Sequence, residues 1–155
     1  YGIPDIIWAS PPCTYFSVAS IGKHWNKDHT PKTAQALFGM EIVEKVNEII
    51  DILKPKYYFI ENPRGKLRKL PIIENHPYQK TITYCSYGDD RMKPTDIWTN
   101  FDFKTRPMCW NGNKNCHHQP APRGSRTGTQ GLKNSYLKSQ IPSALFEDIF
   151  MEIEK

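Results

Sequence analysis

Two short apolar runs separated by one long amphipathic stripe constrain this chain more than anything else in it. Ile6 to Ala9, after Asp5, reads as a short buried strand, and Tyr57 to Glu61 as a second. Between them Leu37, Met40, Val43, Val46, Ile49, Ile50 and Leu53 recur at three- and four-residue spacing and stop before Pro55. That period predicts an amphipathic helix of about five turns. Thr30-Pro31 is expected to open it, the threonine as N-cap and the proline in the first turn. Strand, helix and strand in this order favour a parallel pair with a right-handed crossover, and hence an α/β domain. In open α/β sheets ligands bind at the carboxyl ends of strands.

Both strand ends carry chemistry. The first runs into Ser10-Pro11-Pro12-Cys13-Thr14-Tyr15-Phe16-Ser17. Each proline fixes its own φ and pushes the preceding residue toward extended geometry, so the chain leaves the strand in a constrained, non-helical turn that holds Cys13. A cysteine there serves either as a presented nucleophile or as a small buried hydrophobe. The second strand ends in Glu61-Asn62-Pro63. A thiol from one strand tip and a carboxylate from its neighbour suggest one site.

At 155 residues the chain fits one domain with a modest core, with room for a small loop-rich appendage. Its formal charge of +5, from 21 basic and 16 acidic residues, is compatible with a polyanionic partner without requiring one. No run of 18 or more apolar residues and no signal-peptide pattern is present, so neither a membrane span nor secretion is read from the sequence. The four cysteines, at 13, 85, 109 and 116, form no regular framework, which with an exposed reactive thiol argues for a reducing, cytoplasmic setting.

Further along, the segment from Ser17 to His29 lacks periodicity and reads as a mobile loop beside Cys13, with Trp25 among basic residues. Arg64-Gly65-Lys66-Leu67-Arg68-Lys69 is a basic run, by itself a solvated surface, here placed to meet phosphates. Thr81 to Cys85 and Asp96 to Thr99 read as two strands joined by the Tyr87 to Pro94 turn, an antiparallel pair at the sheet edge. Residues 101–132 are rich in proline, glycine and polar side chains and are expected to be irregular. Cys109, Cys116, His117 and His118 raise the thought of zinc, but six residues between the cysteines fit paired-ligand spacing poorly, so ordinary loop residues and no metal are expected. Leu145, Phe146, Ile149, Phe150 and Ile153 form one face of a last helix within Pro142 to Lys155, expected to pack on the sheet.

Taken together, these residues resemble the DNA (cytosine-5)-methyltransferases. Pro11-Pro12-Cys13 with Phe16-Ser17 looks like the family's catalytic loop, and Glu61-Asn62 like its Glu-Asn motif. Tyr87-Gly88 followed by Arg91-Met92-Lys93 looks like its Arg-x-Arg element, and Asn134-Ser135 with Ile141-Pro142 like its last block. The resemblance implies a Rossmann-like methyltransferase sheet, mixed parallel and antiparallel, and transfer of methyl from S-adenosylmethionine to a flipped cytosine of double-stranded DNA. It implies catalytic roles for Cys13, Glu61, Arg91 and Lys93. Pro11, Phe16, Ser17, Asn62 and Arg64 would touch substrate, and Pro12, Asn134 and Ser135 the cofactor. On this reading 1–100 is the catalytic part, 101–132 a small target-recognition segment, and 133–155 a return to the catalytic part. The setting would be a bacterial or phage-encoded enzyme, of the kind found in restriction-modification.

The departures are specific. The family holds its cofactor largely through a Gly-rich turn and an acidic residue upstream of the catalytic loop, whereas this chain begins a few residues before that loop, at Tyr1. A cofactor-binding segment is therefore expected in a longer protein or in a partner chain. The one Gly-dense stretch, Gly124 to Gly131, follows no strand and opens no helix, a poor match to a nucleotide-binding turn. Lys93 stands where the family prefers arginine and cannot form a bidentate fork; Asp89 or Asp90 stands where it prefers glutamine. Two other classes compete: a non-catalytic nucleic-acid-binding module or remnant, and an amino-methyltransferase, for which Ser10-Pro11-Pro12 matches but Cys13 replaces the expected aromatic residue. An RNA cytosine methyltransferase is a variant of the first reading.

Overall fold

A computed structural model describes residues 2–122 and 134–155. In chain order its elements are β1 (Ile6–Ala9), a 3₁₀ turn Cys13–Tyr15, α1 (Ile21–His24), α2 (Ala34–Leu53), β2 (Tyr57–Pro63), 3₁₀ turns Leu67–Lys69 and Pro71–Ile73, β3 (Tyr78–Thr83), a 3₁₀ turn Tyr84–Tyr87, β4 (Pro94–Thr99), α3 (Ser135–Ser139) and α4 (Ser143–Ile153). The strands form one four-stranded mixed sheet in the order β1-β2-β4-β3. As expected, β1 and β2 are parallel, with Trp8 opposite Phe59 and Ala9 opposite Ile60. The Gly124 to Gly131 stretch lies outside the described residues. Among those residues no helix is long and apolar enough to cross a membrane.

The chain divides into two compact units, Tyr1–Lys80 with Asp96–Asp102, and Thr81–Thr95 with Phe103–Lys155. The first unit has its own core, in which Phe16, Trp25, Val43, Ile60, Leu67 and Trp98 are all buried. In the second, α4 rests on the 3₁₀ turn Tyr84–Tyr87, burying Leu145 and Ile149 while Phe150 stays 43% exposed. The half-exposed aromatic narrows the apolar face that the period suggested.

Helix α2 starts later than Thr30. Its N-cap is Thr33, whose Oγ1 accepts the Ala36 amide at 3.2 Å and lies 2.7 Å from His24 Nδ1. Thr30 instead donates its hydroxyl to Asp28 at 2.7 Å, closing the turn before the helix. The buried face is also rotated from the predicted one: Ala36, Gly39, Val43 and Ile50 are buried, whereas Leu37 and Ile49 are 50% and 42% exposed. The cause is a close approach that the period cannot reveal, since a Cβ on Gly39 would lie 3.0 Å from the Tyr15 ring and 3.2 Å from that of Phe16. Small residues face the cysteine turn, and the large ones are displaced outward.

Two further expectations are corrected. The segment after Ser17 is not a loose loop: Trp25 is 2% exposed, stacks on Phe16 at 5.9 Å between ring centroids, and donates its indole N–H to the Tyr15 carbonyl at 2.7 Å. An isolated bridge pairs it with Pro31. Burying an indole stabilises by several times what one local hydrogen bond contributes, so the segment is held by the core. Strand β3 ends at Thr83 rather than Cys85 because residues 84–87 turn into a 3₁₀ helix capped by Gly88 at φ 89°, a conformation glycine adopts without cost.

Candidate active site

The parallel register brings both polar strand tips to one end of β1 and β2. Ala9 pairs with Ile60, so Glu61 is the next residue on β2, and the turn bearing Cys13 begins just beyond Ala9. Side chains alternate along a strand; Phe59 stacks on Trp8 at 5.6 Å, and Glu61 leaves the same face as Phe59. Glu61 is 5% exposed. Cys13 is half-buried rather than packed in the interior. Its carbonyl accepts the amides of Phe16 and Ser17, both at 3.0 Å, which closes the 3₁₀ turn after the two prolines.

Two links tie this turn to β2 and the residues just after it. Asn62, wholly buried, donates its side-chain amide to the Pro11 carbonyl at 2.9 Å. Lys66 donates its backbone N–H to the Phe16 carbonyl at 2.7 Å. The second link requires Gly65, because a Cβ there would lie 2.3 Å from the Phe16 oxygen. The residues after the Glu-Asn pair thus act as a clamp on the cysteine turn.

The remaining expected site residues have the following surroundings. Phe16, expected at the substrate, is 0% exposed and belongs to the core; it anchors the turn. Pro11 is buried and offers its carbonyl to Asn62, while Pro12 is exposed. The Ser17 hydroxyl lies 3.1 Å from that of Ser20. The basic run is only partly a surface: Arg64 and Lys69 are exposed, but Lys66 is 5% exposed, its ammonium 2.9 Å from His29 Nδ1 and over the Trp25 ring, and Arg68 pairs with the buried Asp96 at 3.1 Å. Burial holds the Lys66 ammonium below its ordinary pKa.

Arg91 and Lys93 belong to the second unit. Arg91 is forked onto Asp89, with Nε 2.7 Å from Oδ1, and also donates to the Leu137 carbonyl at 2.5 Å and the Gln140 carbonyl at 3.0 Å. The Asp89 hydrogen bond raises the pKa of Arg91, while burial pushes Asp89 up but the Arg91 hydrogen bonds bring it net down. Its charge is therefore balanced locally by Asp89. Lys93 is 6% exposed, donates to the Lys138 carbonyl at 2.8 Å, and lies over the Tyr84 ring.

Of the residues that the resemblance assigned to the cofactor, Pro12 and Asn134 have side chains that can be described. Asn134 spends its side-chain oxygen on the Tyr136 amide at 2.9 Å as the N-cap of α3. Pro12 has no donor, and the Ser135 side chain lies outside what is described.

The zinc question set aside on spacing returns with one ligand changed, Cys85 in place of His117. Cys85 joins Cys109, Cys116 and His118, with their four ligand atoms all within 4.8 Å of one another. Burial pushes the Cys85 thiol up to about 12. Burial also raises Cys109, but hydrogen bonds from Asn113 and the neighbouring thiols outweigh it and bring Cys109 down. Cys85 lies too far back in the chain for a spacing rule to include it. The readable signal was subtraction: with Cys13 assigned to a strand tip, three cysteines and a pair of histidines remain.

No family model matches the chain. Among curated proteins, a probable DNA (cytosine-5)-methyltransferase of Frog virus 3 (isolate Goorha) is 33% identical over 160 residues, covering 94% of this chain and 73% of the viral protein. An alignment of that extent takes in the cysteine turn, the Glu-Asn strand end and the Arg91 turn together, so the chain belongs to the DNA (cytosine-5)-methyltransferase family.

Proposed function

We propose that the chain supplies the nucleophile and the ring-holding acid for methyl transfer to carbon 5 of a cytosine in double-stranded DNA, with Cys13 and Glu61 in those roles. The sheet would be the catalytic part of a Rossmann-like methyltransferase domain, and S-adenosylmethionine the methyl donor. The chemistry derived below concerns the cytosine and this chain's own residues. The observation that carries the reading is the β1–β2 register, with Asn62 tying the Cys13 turn beside Glu61.

Carbon 5 of cytosine is too weak a nucleophile to be methylated directly. The Cys13 thiolate adds to carbon 6, forming an S–C bond while the ring π electrons move toward carbon 5. A proton from Glu61 to ring N3 neutralises the charge that develops, which is transition-state stabilisation by a positioned acid. Once carbon 5 carries the methyl group, its proton passes to water, the N3 proton returns to Glu61, and the S–C bond breaks to give back the thiolate. A cysteine with an ordinary pKa of about 8.5 needs a favourable environment to be a thiolate near neutral pH. Because Arg91 is engaged by Asp89, the DNA-bound geometry or the exposed Arg64 is the source to test. Carbon 6 is covered in a stacked duplex, so the base must be flipped out. The irregular segment after β4 would meet the DNA and read its sequence.

The test is a covalent trap. The complete enzyme, incubated with DNA carrying 5-fluorocytosine and S-adenosylmethionine, should form an adduct on the peptide containing Cys13. Active protein that gives no adduct, or gives it on another cysteine, refutes the assignment. Glu61→Gln should lose methylation and keep DNA binding; turnover near wild type removes Glu61 from the mechanism. Retained DNA binding with no cytosine chemistry in the complete wild-type protein favours a binding module instead.

A further inference from the structure

The cluster in the second unit has no part in the cytosine chemistry, yet its composition is that of a metal site. Cys85 comes from the 3₁₀ turn Tyr84–Tyr87, and the other three ligands from one loop after β4. Three thiols and an imidazole with all ligand atoms within 4.8 Å are close to the size of a tetrahedral zinc cage. Zinc–sulfur bonds of about 2.3 Å put neighbouring ligand atoms about 3.8 Å apart, so a contraction of about 1 Å or less completes it. The Cys109 Sγ to His118 Nδ1 separation is already 3.8 Å.

The surroundings are built as such sites require. Cys85 and His118 are buried, and Cys109 and Cys116 half-buried. Asn113 donates its side-chain amide to Cys109 Sγ at 3.3 Å, the kind of outer contact that supports a metal-bound thiolate. The loop is folded to deliver its ligands: Gly112 sits at φ 83°, the Asn113 amide bonds the Trp110 carbonyl at 3.2 Å, and the Cys116 amide bonds the Asn113 carbonyl at 3.1 Å. The Cys109 amide donates to Thr83 Oγ1 at 2.9 Å, holding the loop against the turn that carries Cys85. His118 Nε2 lies 3.3 Å from the Gly112 amide. With a metal on Nδ1 the ring proton resides on Nε2 and that one contact opens.

We propose that Cys85, Cys109, Cys116 and His118 bind one zinc ion in a closed, structural site that fastens the loop after β4 to the Tyr84–Tyr87 turn. Four protein ligands leave no open coordination position, so the ion organises the fold and takes no part in chemistry. His117, next to the fourth ligand, is excluded: its Nε2 lies 3.0 Å from the Asp89 carbonyl. The proposal stands apart from the cytosine reading, because it rests on different residues.

The test uses the full-length protein expressed in zinc-supplemented medium. Elemental analysis should find about one zinc per chain. Cobalt substitution should give thiolate-to-metal charge transfer and the visible bands of a tetrahedral ion. Cys85→Ser and Cys116→Ser should lose the metal, while Cys13→Ser and His117→Ala retain it; His118→Cys, which keeps a four-ligand set, should retain it as well and shows that the fold survives change at the site. Wild-type protein without zinc and with an octahedral cobalt spectrum overturns the proposal. So does a mass 2 Da lower, with two of these cysteines joined in a disulfide. Metal kept by Cys85→Ser overturns the ligand set.

Discussion

Gly65→Ala tests the clamp on the cysteine turn most directly. Gly65 is not in the left-handed region, so alanine fits its backbone conformation. In the absence of a clash the substitution would stabilise the protein by about 0.4–1 kcal/mol by restricting the unfolded chain. The new Cβ, however, would stand 2.3 Å from the Phe16 oxygen, well inside the 3.0 Å below which something must shift. The obstacle is backbone, and Phe16 is pinned in the core, so either the cysteine turn or the end of β2 must move. Moving either breaks the 2.7 Å Lys66 to Phe16 bond. A carbonyl left unpaired there costs about 1–3 kcal/mol. Net destabilisation is then about 1–2 kcal/mol, or a urea midpoint lower by about 0.5–1 M for a slope near 2 kcal/mol/M. A shift of the turn by much of an ångström would also slow adduct formation with 5-fluorocytosine DNA by about 10²-fold. Denaturant titration of wild type and variant, with trapping kinetics in the complete enzyme, checks both. A Gly65→Ala protein as stable as wild type and trapping at the same rate refutes the close approach.

Three other substitutions probe separate contacts. Trp25→Ala should cost about 3–5 kcal/mol, because a buried, stacked indole is removed; chemical denaturation decides, and a loss under about 1 kcal/mol would restore the loose-loop description. Asn62→Asp turns the donor facing the Pro11 carbonyl into an acceptor, and should destabilise by about 2–3 kcal/mol with Glu61 intact; calorimetry reads it, and an unchanged Tm would mean that the link is idle. His76, 2.9 Å from the Tyr58 hydroxyl, is held below its ordinary pKa of 6.5 by burial. Its folded pKa is the lower one, so its stabilising contribution is complete above pH 6.5 and declines as pH falls toward the folded value. The stability difference between wild type and His76→Gln should therefore shrink from pH 7.5 to 5.5 in urea titrations, and a difference that grows on acidification contradicts the assignment.

Some of this architecture was legible because local signals agreed with one another. The run Ile6–Ala9 is a strand with the expected bounds, and the helix stops before Pro55 as its pattern required. The parallel β1–β2 pair followed from element order, and with it the meeting of the two polar tips. What escaped were features set by close approach and by long-range partners. Gly39 and Gly65 carry no side-chain signal, yet each marks a place where another segment comes within van der Waals distance. Trp25 among basic neighbours looked like a surface residue, because a single buried aromatic has no period. The partners of Arg91 were not legible either, since the carbonyls of Leu137 and Gln140 lie far along the chain. Cys85 was lost to the metal question for the same reason.

The short turn 89–91 has a consequence for how proteins of this design diversify. The Gln119 amide bonds the Asp90 carbonyl at 2.9 Å, His117 reaches the Asp89 carbonyl, and Arg91 grips Leu137 and Gln140. One tripeptide therefore moors the chain both before and after positions 123–133. Exchanging the sequence between residues 119 and 137 therefore leaves both anchored junctions, and the turn that holds them, in place.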